Sequence, residues 1–245
     1  MRRVLIVIAL FVLLITACAA EAAPTEDASE STEVPTEPSV PTQSPTDALP
    51  AGPAEETVIK QLAANLDLQE NDITLLSTEE VEFGDACLGV TMEGVMCAQV
   101  VTPGRIIVLE ANGVEYEYHT SEDGSRVQPA TLAMVWKREG GIAGFCDTLM
   151  VFRSGEVFTS KCDPQDEGKM GTFTGLLTSR EIQQFSDWTV EFGEVKLDAS
   201  DPKGVADRMV VTLDFYGSGT EEPTPSEEQA LFEFAQDIYQ ELAQK

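Results

Sequence analysis

The chain has 245 residues, and its 43 aspartates and glutamates outnumber 15 lysines and arginines, giving a formal net charge of −28 at pH 7. Two of the basic residues, Arg2 and Arg3, lie at the N-terminus. The others are scattered along the rest of the chain rather than clustered. This balance excludes nucleic-acid binding and attraction to anionic lipid. We interpret it first as favouring solubility outside a cell. The alternative interpretation is attraction of cations or a basic partner.

The N-terminus has the successive parts of an export signal. Two arginines at positions 2 and 3 precede an almost unbroken apolar run at residues 4–14, and the small residues Thr16 and Ala17 then precede Cys18. The run is too short and wrongly flanked for an ordinary membrane span, but it suits a signal peptide. This order resembles the lipobox of bacterial lipoproteins, in which the cysteine receives a diacylglycerol and a peptidase cuts just before it.

The resemblance implies that residues 1–17 are a signal peptide and that Cys18 is the lipidated first residue of the mature chain. Each buried methylene contributes about 0.8 kcal/mol, so two or three acyl chains would anchor the protein stably to a membrane. Ala19 is not acidic, so no acidic residue follows the cysteine to retain the protein at an inner membrane. We therefore expect a location in the cell envelope, on the outer face of a membrane. The alternative is a plain secretory signal cut at Ala17 or Ala20.

Assigning Cys18 to lipid leaves four cysteines, and an even number in an exported chain indicates disulfide bonds. Three connectivities are possible, and the hairpins below favour the two local pairs, Cys87–Cys97 and Cys146–Cys162. A zinc site is the rival interpretation. However, the chain has no Cys-x-x-Cys motif and only one histidine, so we predict no metal and no cofactor.

Residues 18–54 are rich in proline, threonine, serine and glutamate and contain few large apolar side chains. Such a segment cannot offset the entropy lost on ordering, so we predict a disordered tether. Proline-rich chains extend by about 3 Å per residue, which would hold the folded part several tens of ångströms from the membrane. Its serines and threonines are potential sugar acceptors.

Residues 55–128 indicate one helix followed by about four antiparallel strands. Apolar residues have helical spacing at 55–66. Asn112-Gly113 between two apolar runs predicts a tight hairpin, and the Thr-Pro-Gly sequence at 102–104 predicts a turn.

Part of this unit, from Asp85 through Cys97, 102–104 and 116–120, resembles an uncharacterised domain of bacterial surface lipoproteins. The resemblance implies no activity. His119 lies within it, but a catalytic histidine needs a nucleophile or a metal partner in reach. We interpret His119 as a hydrogen-bonded structural residue.

The Arg-Ser-Gly sequence at 153–155 predicts a bulged hairpin. In the register set by this loop, Met150 faces Phe158 and Cys146 faces Cys162. Directly opposed residues are within disulfide reach, so the turn and the cysteine spacing indicate the same pairing.

Two capping boxes predict helix starts, one formed by Thr178 with Glu181 and one by Thr224 with Glu227. Residues 163–175 are predicted to be a polar loop ahead of the first helix. The second helix carries an apolar stripe that core packing explains better than a partner surface. The stripe consists of Leu231, Phe234, Ala235, Ile238 and Leu242.

The predicted fold class is α+β, with two small antiparallel-sheet domains and packed helices at residues 55–128 and 129–245. The second unit resembles emfourin-type inhibitors of metalloproteases. The resemblance rests on the glycine-rich entry at 139–144, the helix start at Leu177-Thr178 and the closing amphipathic helix. The chain departs from that family by adding the second cysteine pair and the whole first unit.

The sequence contains no nucleophile elbow, no metal-binding histidine pair and no nucleotide-binding loop, so we predict that the protein is not an enzyme. The favoured hypothesis is a lipid-anchored extracytoplasmic lipoprotein that displays non-catalytic binding or envelope domains to an unknown protein or small-molecule partner. The alternative is a surface-displayed inhibitor of metalloproteases.

Overall fold

The computed structural model describes residues 51–92, 95–162 and 170–243. The predicted signal peptide, Cys18 and residues 18–50 of the predicted tether lie outside this part of the chain. The predicted end of the tether at residue 54 is wrong, because helix α1 already begins at Pro53. The described residues belong to one compact unit, Thr46–Lys245, that contains two antiparallel sheets and three α-helices. The predicted α+β class is therefore confirmed.

The first sheet has four strands in the order β1-β2-β3-β4, and one helix packs against it. Helix α1 begins with proline at its first position, where the missing N–H costs no hydrogen bond, and it ends at Asp67 in a left-handed conformation with φ 56°. Its buried residues Val58 and Leu62 join the core of the sheet. The elements are α1 (Pro53–Leu66), a 3-10 turn (Glu70–Asp72), β1 (Thr74–Phe83), β2 (Thr102–Ala111), β3 (Val114–Ser121) and β4 (Val127–Pro129).

The Asn112-Gly113 hairpin is confirmed, because both residues have positive φ and they join β2 to β3. The predicted turn at 102–104 is wrong. Thr102 begins β2, and Gly104 pairs with Val81 of β1. A Cβ at Gly104 would lie 2.1 Å from the Thr120 carbonyl oxygen, so this glycine permits a close approach of strands rather than a turn.

The second sheet has six strands in the order β8-β7-β6-β5-β10-β9, and all of its neighbouring strands are antiparallel. Helices α2 and α3 contribute to the cluster that covers one of its faces. The elements are β5 (Leu132–Gly140), β6 (Phe145–Phe152), β7 (Glu156–Cys162), β8 (Met170–Leu176), α2 (Ser179–Glu191), β9 (Glu194–Asp198), β10 (Met209–Tyr216) and α3 (Pro225–Ala243).

Two strands of this sheet differ from the sequence prediction. Residues 170–175, predicted as loop, belong to β8, in which Leu176 pairs with Glu156 of β7. Glycines and threonines obscured the strand pattern, which depends here on a neighbouring strand rather than on local propensity. β9 was not predicted, because five residues with alternating exposure give little periodic signal.

The local helix signals are largely confirmed. Thr178 and Glu181 form both halves of a capping box at α2. At α3 the carboxylate of Glu227 accepts from the Thr224 N–H at 2.7 Å, but the Thr224 hydroxyl donates to the same carboxylate instead of capping a backbone N–H. All five residues of the predicted α3 stripe are buried.

The opposite face of the second sheet carries a separate apolar cluster. Met150, Phe152 and Phe158 pack there against Val90, which belongs to the loop between β1 and β2. That loop is closed by a disulfide between Cys87 and Cys97, whose Cα atoms are 5.5 Å apart. The loop from the first sheet therefore packs against the face of the second sheet that the helices leave open.

The second cysteine pair gives a testable prediction. Cys146 is disulfide-bonded, and β6 pairs with β7 at Thr148↔Ser160 and Asp147↔Lys161, so Cys162 lies one step further along the ladder, opposite Cys146. We expect mass spectrometry of the non-reduced, protease-digested protein to find a peptide that links Cys146 to Cys162 and another that links Cys87 to Cys97. A disulfide-linked peptide that joins a cysteine of one pair to a cysteine of the other pair would contradict this prediction.

Candidate functional site

Asp85, Cys87 and Cys97 form the one group of three potential metal ligands found among the described residues. Both sulfur atoms are engaged in the disulfide, so neither is a thiolate. The Asp85 carboxylate accepts N–H groups from Cys87 at 2.8 Å and Gly89 at 3.1 Å. These contacts shape the loop between β1 and β2 and do not make a metal site.

His119 connects this loop to the first sheet. Its Nδ1 lies 2.7 Å from the Leu88 carbonyl oxygen, and its Nε2 lies 3.0 Å from the Glu117 carboxylate. The ring stacks on Phe83 with 5.0 Å between centroids. Both ring nitrogens are engaged by oxygen atoms, so His119 holds the loop in place, which agrees with its structural interpretation.

Arg138, Asp147 and Tyr239 form a second polar cluster, on the helix-covered face of the second sheet. Arg138 Nε donates to Asp147 Oδ2 at 2.9 Å, and the Tyr239 hydroxyl donates to Asp147 Oδ1 at 2.6 Å. The Arg138 guanidinium also lies 4.0 Å from the ring centroid of Phe145. Burial, and then the hydrogen bond to Asp147, raise the pKa of Tyr239. Both carboxylate oxygens are occupied, so the cluster fastens α3 to the sheet.

A third cluster, centred on Glu156, connects the two sheets. Glu156 Oε1 accepts from the side-chain amides of Gln61 at 2.9 Å and Asn65 at 2.7 Å, and from the Tyr118 hydroxyl at 3.2 Å. The Ser154 hydroxyl donates to Oε2. Burial, and then the charge of Glu156, raise the pKa of Tyr118 well above its ordinary value. All four donors are neutral, so they hold the carboxylate in place without cancelling its charge.

Glu156 lies in the wall of a groove of about 640 Å³ between the two sheets, which we call the Glu156 groove. Gln61, Asn65 and Thr174 also contribute polar groups to its walls. The apolar part of its surface comes from Met92, Val127, Pro129, Phe152, Phe158 and Leu176. An apolar cleft with a few fixed polar groups is the usual form of a ligand-binding site.

The side chains that line the groove are mostly apolar, with few polar groups. Among the described residues that line it there is no histidine, cysteine or serine, and Glu156 accepts three hydrogen bonds at Oε1 and one at Oε2. The groove therefore offers a charged group and an apolar surface as recognition elements.

Sequence analysis missed this groove because its residues come from distant segments. Glu156 directly follows the predicted hairpin loop at 153–155, whereas Gln61 and Asn65 lie 95 and 91 positions before it. The one local signal is that these two amides are spaced by four residues and so share a face of α1. Nothing in that spacing identifies the carboxylate that they bind.

The described part of the chain contains no helix of the length and hydrophobicity that a membrane crossing requires.

Residues 55–129 match a family described as a domain of unknown function (DUF8738). The match spans the first sheet and its helix and ends at the last residue of β4. Comparison with curated proteins and with solved structures found no match.

Replacing Tyr118 with phenylalanine tests the Glu156 network. At pH 7 we expect Tyr118→Phe to lower the free energy of unfolding by about 1.5–3 kcal/mol, the usual contribution of a hydrogen bond to a charged group. The folded-state pKa of Tyr118 is raised above 10.0, so the contribution of this residue to stability is complete below pH 10.0 and falls as the pH rises further. The loss of unfolding free energy caused by Tyr118→Phe should therefore be smaller at about pH 10.5 than at pH 7.

Urea unfolding at the two pH values measures both effects. A double-mutant cycle with Glu156→Gln at pH 7 isolates the coupling between the two side chains. An equal loss of stability at both pH values, or zero coupling energy in the cycle, would contradict the assigned contact.

Proposed function

We propose that the protein is a lipid-anchored extracytoplasmic lipoprotein whose folded part binds a partner without catalysis. The observation that carries the proposal is the order of features at the N-terminus, a basic pair, an apolar run and small residues followed by Cys18. The Cys87–Cys97 disulfide supports it, because disulfides persist in oxidising compartments outside the cytoplasm. The proline-rich tether between Cys18 and the start of α1 at Pro53 would display the folded part away from the membrane.

The Glu156 groove supports binding as the activity of the folded part. Its apolar surface and fixed carboxylate suit recognition, and its described lining lacks a nucleophile–base pair. The net charge of −28 argues against a nucleic-acid partner, because phosphates would be repelled.

Metabolic labelling tests the lipid anchor. The full chain, expressed in a bacterial host supplied with an alkyne-bearing fatty acid, should become labelled and partition into the membrane fraction. Cys18→Ala should abolish both. The matched control is the double variant Cys87→Ser/Cys97→Ser, which loses two other cysteines and should keep the label. Label that survives Cys18→Ala, or an unlabelled wild-type chain, would refute the proposal.

Inhibition of metalloproteases is the second candidate function. One observation favours it: in the glycine-rich segment that carries the resemblance, Ile142 is 92% exposed, as expected of a loop tip that contacts another protein. The full folded chain is the right reagent, because residues 129–245 alone would expose the apolar cluster that includes Phe158.

If this candidate is correct, the full chain should inhibit a thermolysin-like protease at stoichiometric concentration, and Ile142→Ser should weaken inhibition by about tenfold or more. Val205→Ser, at another exposed apolar position, should leave inhibition unchanged. The absence of inhibition across a panel of such proteases would eliminate this function.

A further inference from the structure

We infer that the Glu156 groove and the adjacent edge strand β8 bind an extended peptide segment of a partner protein. The segment carries a lysine or arginine and, two residues away, a large apolar side chain. This inference rests on the proposed binding function and specifies its partner, and it does not depend on the lipid anchor.

The first argument is the state of the sheet edges. An unpaired strand edge recruits other strands unless charges, proline or shortness protect it. β1 carries Glu79, Glu80 and Glu82, β9 alternates charged residues, and β4 has only three residues and ends in proline. β8 has seven residues, Met-Gly-Thr-Phe-Thr-Gly-Leu, without a charge or a proline. It is the one edge in the described part of the chain that lacks these protective features.

The second argument is that the groove lies beside this edge. Thr174 and Leu176 of β8 line the groove, and they pair with Phe158 and Glu156 of β7. Leu176 is 48% exposed, so the apolar surface continues from the groove to the strand edge. A peptide added to β8 would form main-chain hydrogen bonds there, and every second side chain would point to the groove face.

The third argument is charge. Glu156 is half-buried and receives only neutral donors, and no lysine or arginine of the described chain forms an ion pair with it. A lysine or arginine that reached this half-buried carboxylate would donate a charge-assisted hydrogen bond, which is stronger than a hydrogen bond from a neutral donor. The net charge of −28 adds a long-range attraction for a basic segment.

The spacing on β7 defines the peptide pattern. Glu156 and Phe158 are two residues apart on one face, about 7 Å along the strand. A peptide strand beside β8 would lie about 10 Å from β7, two strand spacings away, and long side chains on both sides can bridge that distance. If a lysine or arginine of the peptide faces Glu156, the peptide residue two positions along the same face lies beside Phe158. That position therefore favours an apolar side chain.

Fluorescence anisotropy with a defined probe tests the inference. The probe is a fluorescein-labelled heptapeptide of sequence Thr-Lys-Thr-Leu-Thr-Val-Thr, and the protein is the mature chain in non-ionic detergent, with empty micelles as the blank. We expect saturable binding that weakens as salt is added. The same peptide with glutamate in place of lysine should bind at least about tenfold more weakly, the ratio that one charge-assisted hydrogen bond supports.

Leu176→Arg should weaken binding by about tenfold or more, because it places a positive charge at the mouth of the groove. The matched control is Leu76→Arg, the same substitution at a position that is 39% exposed on β1. It should leave affinity within about twofold of wild type, since it lies on the other sheet. Glu156→Gln should also weaken binding, and circular dichroism of each variant checks that the fold is retained.

Several outcomes would overturn the inference. Equal losses for Leu176→Arg and Leu76→Arg would place the peptide elsewhere. Saturable binding of octylamine without binding of the peptide would make the ligand a small amphiphilic amine. Concentration-dependent dimerisation that Leu176→Arg abolishes, without peptide binding, would make a second copy the occupant of the β8 edge. In each case fatty-acid labelling at Cys18 would be unaffected, so failure of this inference and failure of the lipid anchor remain distinguishable.

Discussion

The arrangement of the whole structure depends on strand β6 being buried on both faces. Every residue from Asp147 to Phe152 is buried, although an antiparallel sheet commonly leaves one face to solvent. Leu149 and Val151 pack under the helices, whereas Met150 and Phe152 point to the other side and need a separate cover. The loop closed by the Cys87–Cys97 disulfide supplies part of it. The two sheets therefore stabilise each other, although the family match ends at residue 129, between them.

The Glu156 network is a consequence of this packing. Where the apolar contact between the sheets ends, α1 and β3 approach β7. The Glu156 carboxylate at this point needs hydrogen-bond donors, because a half-buried charge without hydrogen bonds is costly. Gln61, Asn65 and Tyr118 provide them from the first sheet, and Ser154 provides one from the turn before β7. The Glu156 network fixes the relative position of the sheets and leaves a groove that neither sheet forms alone.

The sequence specified those features that depend on neighbouring residues. The Asn112-Gly113 hairpin, the capping box of α2 and the buried stripe of α3 follow from local conformation and periodicity, and the structure has them. The errors share a different cause. The sequence predicts a turn at residues 102–104, although Gly104 serves the close approach of two strands. β8 is a strand because β7 lies beside it. The groove joins residues more than ninety positions apart, so no pattern in a sequence window could identify it.

The acidic composition has a clearer physical meaning once the sheet edges are known. An edge strand without charges, such as β8, exposes a chain to pairing with its own copies. At a net charge of −28, copies repel one another at distances up to about a Debye length, which opposes pairing between the β8 strands of two copies. In the inference drawn above, the same field would attract a basic segment toward Glu156, which forms no ion pair with a lysine or arginine of the described residues. If a basic segment binds at this edge, solubility and attraction of a basic partner, which composition presents as alternatives, are two effects of one charge distribution. At strand β8 the negative charge would both oppose pairing between copies and favour the approach of a basic segment.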